Sequence, residues 1–107
     1  MMQYKVQITD KALVDMEAIY YYIAEQLQSP DTAMAQFNRI AAAIETLGTF
    51  PERVKLMESE EERALGLRQM TVDNYSVFFH IREDRVIITN VLYGAVDISR
   101  RLHAGGL

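Results

Sequence analysis

Residues 67–97, LRQMTVDNYSVFFHIREDRVIITNVLYGAVD, contain three short apolar runs separated by two polar dipeptides. Each run is rich in β-branched and aromatic residues, which suit a pleated, half-buried surface. Asp73-Asn74 and Glu83-Asp84 join the runs, and two-residue polar links of this kind reverse a chain in hairpins. The stretch therefore predicts a three-stranded antiparallel meander, with strands at Leu67–Val72, Tyr75–Arg82 and Arg85–Leu92.

The middle run indicates which face of the meander is buried. Ser76, His80 and Arg82 share one parity, whereas the other parity is apolar, with Tyr75, Val77, Phe79 and Ile81. We therefore expect one sheet face to pack on the core and the other to be partly solvated.

The residues before the meander predict one strand and one amphipathic helix. Gln3–Thr9 alternates between apolar and polar residues and is typical of a strand beside the meander. Thr9 or Asp10 then supplies an N-cap oxygen for a helix that ends at about Leu27. The apolar stripe of this helix consists of Ala12, Leu13, Met16, Ile19, Tyr20, Ile23 and Leu27.

A second helix is expected to start at Ser29-Pro30, because proline is tolerated in the first turn of a helix and serine is a good cap. Gly48 is expected to end it in the left-handed conformation. The short connection between the helices predicts an antiparallel hairpin. The stripe of the second helix consists of Ala33, Phe37, Ile40, Ala41, Ile44 and Leu47.

The segment between the second helix and the meander has no sustained period. Phe50, Val54 and Leu56 are candidates for anchoring it to the core, and the acidic run Glu58–Glu62 is interpreted as a solvated, mobile loop. Residues 98–107 are expected to form a frayed tail. The element order predicts an α+β fold, in which a two-helix hairpin packs on one sheet.

The composition predicts one globular domain covering residues 1–107. Half of the residues are hydrophobic and 24% are charged, and no uncharged apolar run is long enough to cross a bilayer. The amino terminus, MMQYKVQITDK, lacks the cationic and apolar segments of a secretory signal, so we expect a cytoplasmic protein.

The residue types limit the available chemistry. There is no cysteine, which excludes disulfides and thiolate metal ligands, and His80 and His103 do not have the spacing of a metal site. We predict no metal and no cofactor. Residues 1–62 carry five basic and eleven acidic residues, whereas residues 63–107 carry six and four, so the basic groups concentrate in the strand half.

Several short motifs, distributed over about residues 3–100, resemble in their order and spacing the RelE/ParE superfamily. Its members are the toxins of bacterial type II toxin–antitoxin modules and are also called plasmid-stabilisation proteins. The motifs include Gly66-Leu67-Arg68-x-Met70-x-Val72 and Val91-Leu92-Tyr93-Gly94-x-x-Asp97. The resemblance implies the fold predicted above. It also implies one of two activities, since RelE-like members cleave messenger RNA on the ribosome and ParE-like members inhibit DNA gyrase.

Departures from the RelE-like pattern favour the ParE-like branch. Two positions where the resemblance to RelE-like ribonucleases implies cations hold Thr71 and Ser76, and Val96 stands where an arginine often precedes the aspartate that is Asp97 here. RNA cleavage needs cations to stabilise the phosphorane. The alternatives are a ribosome-dependent mRNA endonuclease and an inactive toxin fold that only binds an antitoxin.

The candidate site residues carry roles that differ between these activities. Arg68 and Tyr93 are candidates for target binding, together with Arg53 and Lys55, and a nuclease would use Arg68, His80 and Tyr93. For Arg68 we favour a structural role, paired with a carboxylate such as Asp97 or with a backbone carbonyl. A strand-end tyrosine caps the core more often than it catalyses, and a strand histidine is more often simply solvated.

The predicted partners follow from the resemblance. A cognate antitoxin would lay an amphipathic segment across the toxin, as a strand on the sheet edge or as a helix in a groove, and the target would be DNA gyrase or, in the alternative, the ribosome and mRNA. Tyr21 and Tyr22 are expected to contribute a partner surface. The isolated chain is expected to self-associate through its apolar surface, and no membrane partner is predicted.

Overall fold

The computed structural model describes residues 3–94, which form a four-stranded sheet, a pair of long helices and one short helix. The elements are β1 (Lys5–Ile8), α1 (Asp10–Tyr21), α2 (Pro30–Glu45), α3 (Glu60–Ala64), β2 (Arg68–Val72), β3 (Tyr75–Arg82) and β4 (Arg85–Tyr93). The α+β prediction is confirmed, and the three meander strands agree with their predicted bounds to within one residue. Asp97, His103 and the predicted tail at 98–107 lie outside the described residues.

The sheet has the order β1-β4-β3-β2. β2, β3 and β4 form the predicted antiparallel meander, whereas β1 runs parallel to β4, with Lys5 opposite Arg85 and Ile8 opposite Ile88. The chain crosses from β1 to the rest of the sheet through the helices, and such a crossover permits parallel pairing. The first strand therefore joins the last strand and makes the sheet mixed.

Local side chains determine where the two long helices begin. Thr9 caps α1, because its hydroxyl accepts the Ala12 N–H at 3.1 Å and donates to the Ile88 carbonyl at 2.8 Å. After Tyr21 the helix widens into a π-helical turn, Tyr22–Gln26, and α2 then starts with Pro30 in its first turn.

Two leucines of the predicted α1 stripe are not in the core. Leu13 is 43% exposed and Leu27 is 57% exposed. Ala12, Met16 and Ile23 are the stripe members that are buried. The predicted stripe was wider than the surface that α2 and the sheet cover, so its margins remain in solvent.

The prediction that Gly48 is left-handed was wrong. α2 ends instead by tightening into a 3-10 turn, Thr46–Gly48, and the positive φ falls on Phe50, at 45°. The Gly48 carbonyl accepts the Tyr4 N–H at 2.8 Å, and a Cβ on Gly48 would lie 3.4 Å from the Tyr4 carbonyl oxygen. The glycine therefore allows the chain entering β1 to approach closely.

The main core lies between the helices and one face of the sheet. Its fully buried members are Ala12, Met16, Ile40, Ile44, Leu47, Val77, Phe79, Val86, Ile88 and Val91. Tyr75 and Ile81 pack against it as predicted.

The opposite sheet face is partly solvated at His80 and Arg82, as predicted, but the rest of it is more deeply buried than the strand parity indicated. Leu67, Phe78 and Leu92 form a second core there, with Met57 packed against them. Phe78 is 0% exposed and Ser76 is 4% exposed. The covering chain is the segment that precedes β2, which the sequence pattern did not identify as structured.

The acidic run is likewise more ordered than predicted. Glu60–Ala64 forms α3, with Ser59 at the N-cap, and three glutamates in its first turn match the positive end of the helix dipole. Glu62 is only 2% exposed, accepts a hydrogen bond from the Ser59 hydroxyl, and uses its backbone carbonyl to accept the Leu67 N–H at 3.1 Å. Of the proposed anchors, Val54 packs on the main core and Leu56 is half-buried, but Phe50 is exposed.

A polar cluster ties α2 to the β2–β3 turn. The Asp73 carboxylate accepts hydrogen bonds from Gln36 Nε2 at 3.0 Å and from Arg39 Nε at 2.9 Å. The bonds from Arg39 and Gln36 lower the pKa of Asp73. This contact fixes the first hairpin turn against the helical layer.

No helix in the described part of the chain is both long and apolar enough to span a membrane.

The β3–β4 turn yields a prediction about backbone strain. Glu83 has a φ of 57°, a conformation that costs a non-glycine residue about 1 kcal/mol or more, so Glu83→Gly is expected to raise the free energy of unfolding by about 0.5 kcal/mol. Urea denaturation monitored by circular dichroism measures the change. Asp84→Gly is the matched control, since Asp84 does not have a positive φ and should lose stability; equal effects at both positions would contradict the argument.

Candidate functional site

Arg68 lies on the main-core side of β2, opposite Phe79. Its Nη1 donates to the Val54 carbonyl at 2.5 Å and to the Glu52 carbonyl at 3.4 Å. The guanidinium thus holds the segment before α3 against the sheet edge. The backbone-carbonyl partner that we favoured is present, and the alternative partner Asp97 lies outside the described residues.

His80 lies on the opposite sheet face, in a hollow of about 390 Å³ that Leu65, Gly66, Leu67 and Arg82 also line. It is half-buried. Burial, reinforced by the nearby Arg82 charge, lowers the pKa of His80, so the imidazole is predominantly neutral at pH 7.

Tyr93 ends β4 and is 47% exposed. It pairs with Tyr75 across the β3–β4 ladder, and the two rings meet edge to face with centroids 5.6 Å apart and planes inclined by 63°. The Tyr93 ring therefore contacts the Tyr75 ring and is partly exposed to solvent.

The structure does not bring the three nuclease candidates together. Arg68 and His80 belong to opposite faces of the sheet, because Arg68 pairs with Phe79 and His80 is the next residue of β3. Tyr93 pairs with Tyr75, five residues from His80, which is about 17 Å along a strand. A single phosphate could not contact all three side chains in this arrangement.

Arg53 and Lys55 precede β2 and differ in what they contact. Arg53 Nη1 donates to the Thr49 carbonyl at 2.7 Å and to the Phe50 carbonyl at 3.0 Å, and its Nη2 donates to the Thr46 hydroxyl at 2.9 Å. It therefore fastens the end of α2 to the following turn. Lys55 is exposed, and its side chain has no hydrogen bond or ion pair with any of residues 3–94.

Thr71 and Ser76 face one another directly across the β2–β3 ladder. The Ser76 hydroxyl is buried and accepts a hydrogen bond from Gln69 Nε2 at 2.9 Å. The resemblance to RelE-like ribonucleases implied a cation at each of these two positions. The positions are neighbours in space, and both hold neutral side chains here.

A larger hollow, of about 670 Å³, lies between α1, the π-helical turn and the ends of β3 and β4. We call it the tyrosine hollow, because Tyr22, Tyr75 and Tyr93 line it together with aliphatic residues such as Ile19 and Leu27. Burial raises the pKa of Tyr75, and the neighbouring Tyr93 and Tyr22 raise it further, as expected for phenols gathered in one place. The predicted partner residue Tyr22 is 58% exposed at its rim.

Asp15 is a member of this site that the sequence did not reveal. β1 has four residues and β4 has nine, so β1 leaves the outer edge of β4 unpaired beyond Ile88. Asp15 Oδ2 accepts the Val91 N–H there at 3.0 Å and places a half-buried carboxylate in the tyrosine hollow. No sequence signal pointed to this role, because the predicted first strand, Gln3–Thr9, is nearly as long as the predicted last strand, Arg85–Leu92.

The described residues contain no group of three histidine, cysteine, aspartate or glutamate side chains that could hold a metal ion.

Comparison with solved structures places the fold among toxin–antitoxin proteins. A chain of the chromosomal ParDE toxin–antitoxin system from P. aeruginosa superposes with a TM-score of 0.73 at 20% identity, covering 85% of this chain and 96% of that chain. The toxin–antitoxin complex RelBE2 from Mycobacterium tuberculosis gives a TM-score of 0.59 at 21% identity, covering 86% of this chain and 99% of that chain. No curated protein matches in sequence.

The chain therefore shares its fold with chains of these two toxin–antitoxin systems. The family model described as the ParE toxin of type II toxin–antitoxin systems, parDE, matches residues 6–98, and the chain belongs to this family.

Proposed function

We propose that this ParE-family toxin arrests bacterial growth in the cytoplasm by binding DNA gyrase, without cleaving RNA. The observation that carries the proposal is the cross-strand pair of Thr71 and Ser76. A ribonuclease needs cations beside the phosphorane that forms when a 2′-hydroxyl attacks, and two neutral hydroxyls cannot supply that charge.

The positions of the remaining candidates support the same proposal. The Arg68 guanidinium already binds two backbone carbonyls, and His80 is on the other sheet face. A protein that acts by stoichiometric binding needs no convergent acid and base, so this dispersal is compatible with target inhibition.

We further propose that a cognate antitoxin neutralises the toxin by covering its exposed apolar surface. The similar structures include toxin–antitoxin systems, which supports such a partner. Large apolar side chains remain exposed on and after α1, including Val14 at 62% and Tyr21 at 55%. An amphipathic segment that folds on binding would bury them.

The test is induced expression of the chain without its antitoxin, with plasmid supercoiling and transcript integrity followed in the same cells. We expect growth arrest with loss of negative supercoiling and intact transcripts, because neutral Thr71 and Ser76 stand at the two positions where RelE-like ribonucleases are expected to have cations. Co-expression of the antitoxin encoded beside the toxin should restore growth.

Ribosome-dependent cuts in transcripts, with supercoiling unchanged, would overturn the gyrase proposal and favour the mRNA endonuclease. Normal growth together with tight antitoxin binding would instead mean that the fold is retained only as a binding partner. A chain purified from these cells should show native circular dichroism, so that misfolding is not mistaken for inactivity.

A further inference from the structure

The geometry points to the tyrosine hollow as a binding site for a lysine or arginine side chain, carried by an apolar segment of the antitoxin. This inference rests on the proposed antitoxin partner and adds the chemistry by which one part of that partner is recognised.

The electrostatics of the hollow favour a cation. It is lined by three phenol rings and the Asp15 carboxylate, and none of the described residues that line it is basic. Aromatic faces carry negative quadrupole potential and attract ammonium and guanidinium groups within about 6 Å of the ring centre. The Asp15 carboxylate, which accepts the Val91 N–H, would repel an acidic side chain at the same place.

The arrangement of the rings supports this interpretation over a purely apolar slot. Tyr75 and Tyr93 meet edge to face, so their faces do not cover one another, and Tyr22 stands 58% exposed at the rim. Val91, Ile19 and Ile23 contribute aliphatic groups to the lining. A long basic side chain can place its methylene stem along such aliphatic groups while its charged end meets the phenols.

The backbone around the hollow is specialised as well. The π-helical turn Tyr22–Gln26 is followed by Gln28 at a φ of 52°, and this turn contributes Tyr22 and Ile23 to the site. π-helical turns cost a helix regular hydrogen bonding and recur at functional sites. Here the turn widens the end of α1 where the hollow opens.

The first test uses a small cation as the probe. Tetramethylammonium chloride and its neutral, similarly shaped counterpart tert-butanol are titrated into the full chain, and the ring signals of its tyrosines are followed by NMR. We expect tetramethylammonium to shift Tyr22, Tyr75 and Tyr93 at concentrations where tert-butanol does not. Equal shifts from both probes, or shifts confined to other tyrosines, would overturn the inference.

The second test uses the antitoxin and separates this inference from the proposed function. Tyr93→Phe keeps the aromatic face, whereas Tyr93→Leu keeps only apolar bulk. We expect Tyr93→Leu to weaken antitoxin binding about 10-fold and Tyr93→Phe to weaken it much less, because the attraction of a partly desolvated cation to a ring is of that size. Replacing the lysine or arginine concerned in the antitoxin by methionine should remove the difference between the two toxin variants.

The outcomes are distinguishable. If the antitoxin does not bind the unaltered chain, the proposed partner itself fails. If it binds, but Tyr93→Leu and Tyr93→Phe behave alike against every antitoxin variant, only the cation inference fails.

A further variant replaces both Arg100 and Arg101, which lie beyond the described residues, by glutamine. If this double variant shifts the tyrosine signals without any partner, the hollow binds this chain's own arginines and the partner assignment is wrong.

Discussion

Replacing Phe78 by alanine is expected to lower the free energy of unfolding by about 3–5 kcal/mol, the usual cost of removing a phenylalanine ring from a packed core. Phe78 is 0% exposed and belongs to the second core with Leu67 and Leu92. The strand parity predicted only that this sheet face is partly solvated, and if Phe78 lay in solvent the same change would cost much less. Guanidinium chloride denaturation followed by circular dichroism distinguishes the two cases.

Phe79→Ala serves as the reference, since Phe79 is equally buried on the main-core face and both changes remove the same atoms. Val14→Ala is the surface control, because Val14 is 62% exposed, and surface changes stay within about 0.5 kcal/mol. Similar losses at Phe78 and Phe79 are expected. A loss at Phe78 as small as that at Val14 would mean that α3 and its flanking segment do not close the second core in solution.

Replacing Arg68 by methionine is expected to lower the free energy of unfolding by about 1.5–3 kcal/mol, the range for hydrogen bonds made by a charged group. Methionine fills the space along the sheet edge, but it removes the Arg68 Nη1 donor that lies 2.5 Å from the Val54 carbonyl oxygen. The segment before α3 should loosen first, and amide hydrogen exchange at residues 54–57 measures this directly.

Lys55→Met is the matched control, because it removes a charge of the same sign from a neighbouring side chain that has no partner among residues 3–94. It should leave stability within about 0.5 kcal/mol. If Arg68→Met were as stable as the unaltered chain but no longer arrested growth, Arg68 would be a target contact and the structural interpretation would be wrong.

The strands of the meander could be predicted because local signals decide them. Apolar runs of five to nine residues and polar two-residue links are sufficient to position β2, β3 and β4. Thr9 and Pro30 likewise determine the starts of α1 and α2 through their own side chains. The parallel pairing of β1 with β4 could not be seen in this way, since it depends on a contact between the two ends of the described chain.

The second core was missed for a different reason. The segment that covers it has no period, and its glutamates are typical of solvent-exposed chain, yet Glu62 is buried. Burial of this kind follows from the Ser59 hydroxyl, which donates to the Glu62 carboxylate, and from the Leu67 N–H, which donates to the Glu62 carbonyl. No hydrophobic pattern encodes these bonds.

The tyrosine hollow depends on a bulge that is equally hard to read from sequence. Arg82 pairs with Arg85, and an uninterrupted ladder would place Leu92 opposite Tyr75. The register shifts between Phe78 and Phe79, so that Tyr93 faces Tyr75 and Leu92 turns to the second core. Each of the three tyrosines could be noted separately, but their meeting required this one-residue shift.

The parallel pairing of β1 with β4 also affects when, during synthesis, the toxin can first bind a partner. Lys5 pairs with Arg85, 80 residues later in the chain, and contacts of such long sequence separation form slowly because the intervening chain must be ordered first. During synthesis the helical hairpin can form while β4 has yet to leave the ribosome. A surface made jointly by α1 and β4, as the tyrosine hollow is, therefore exists only after β4 has been synthesised. A partner that recognises this surface binds a chain whose sheet has already formed.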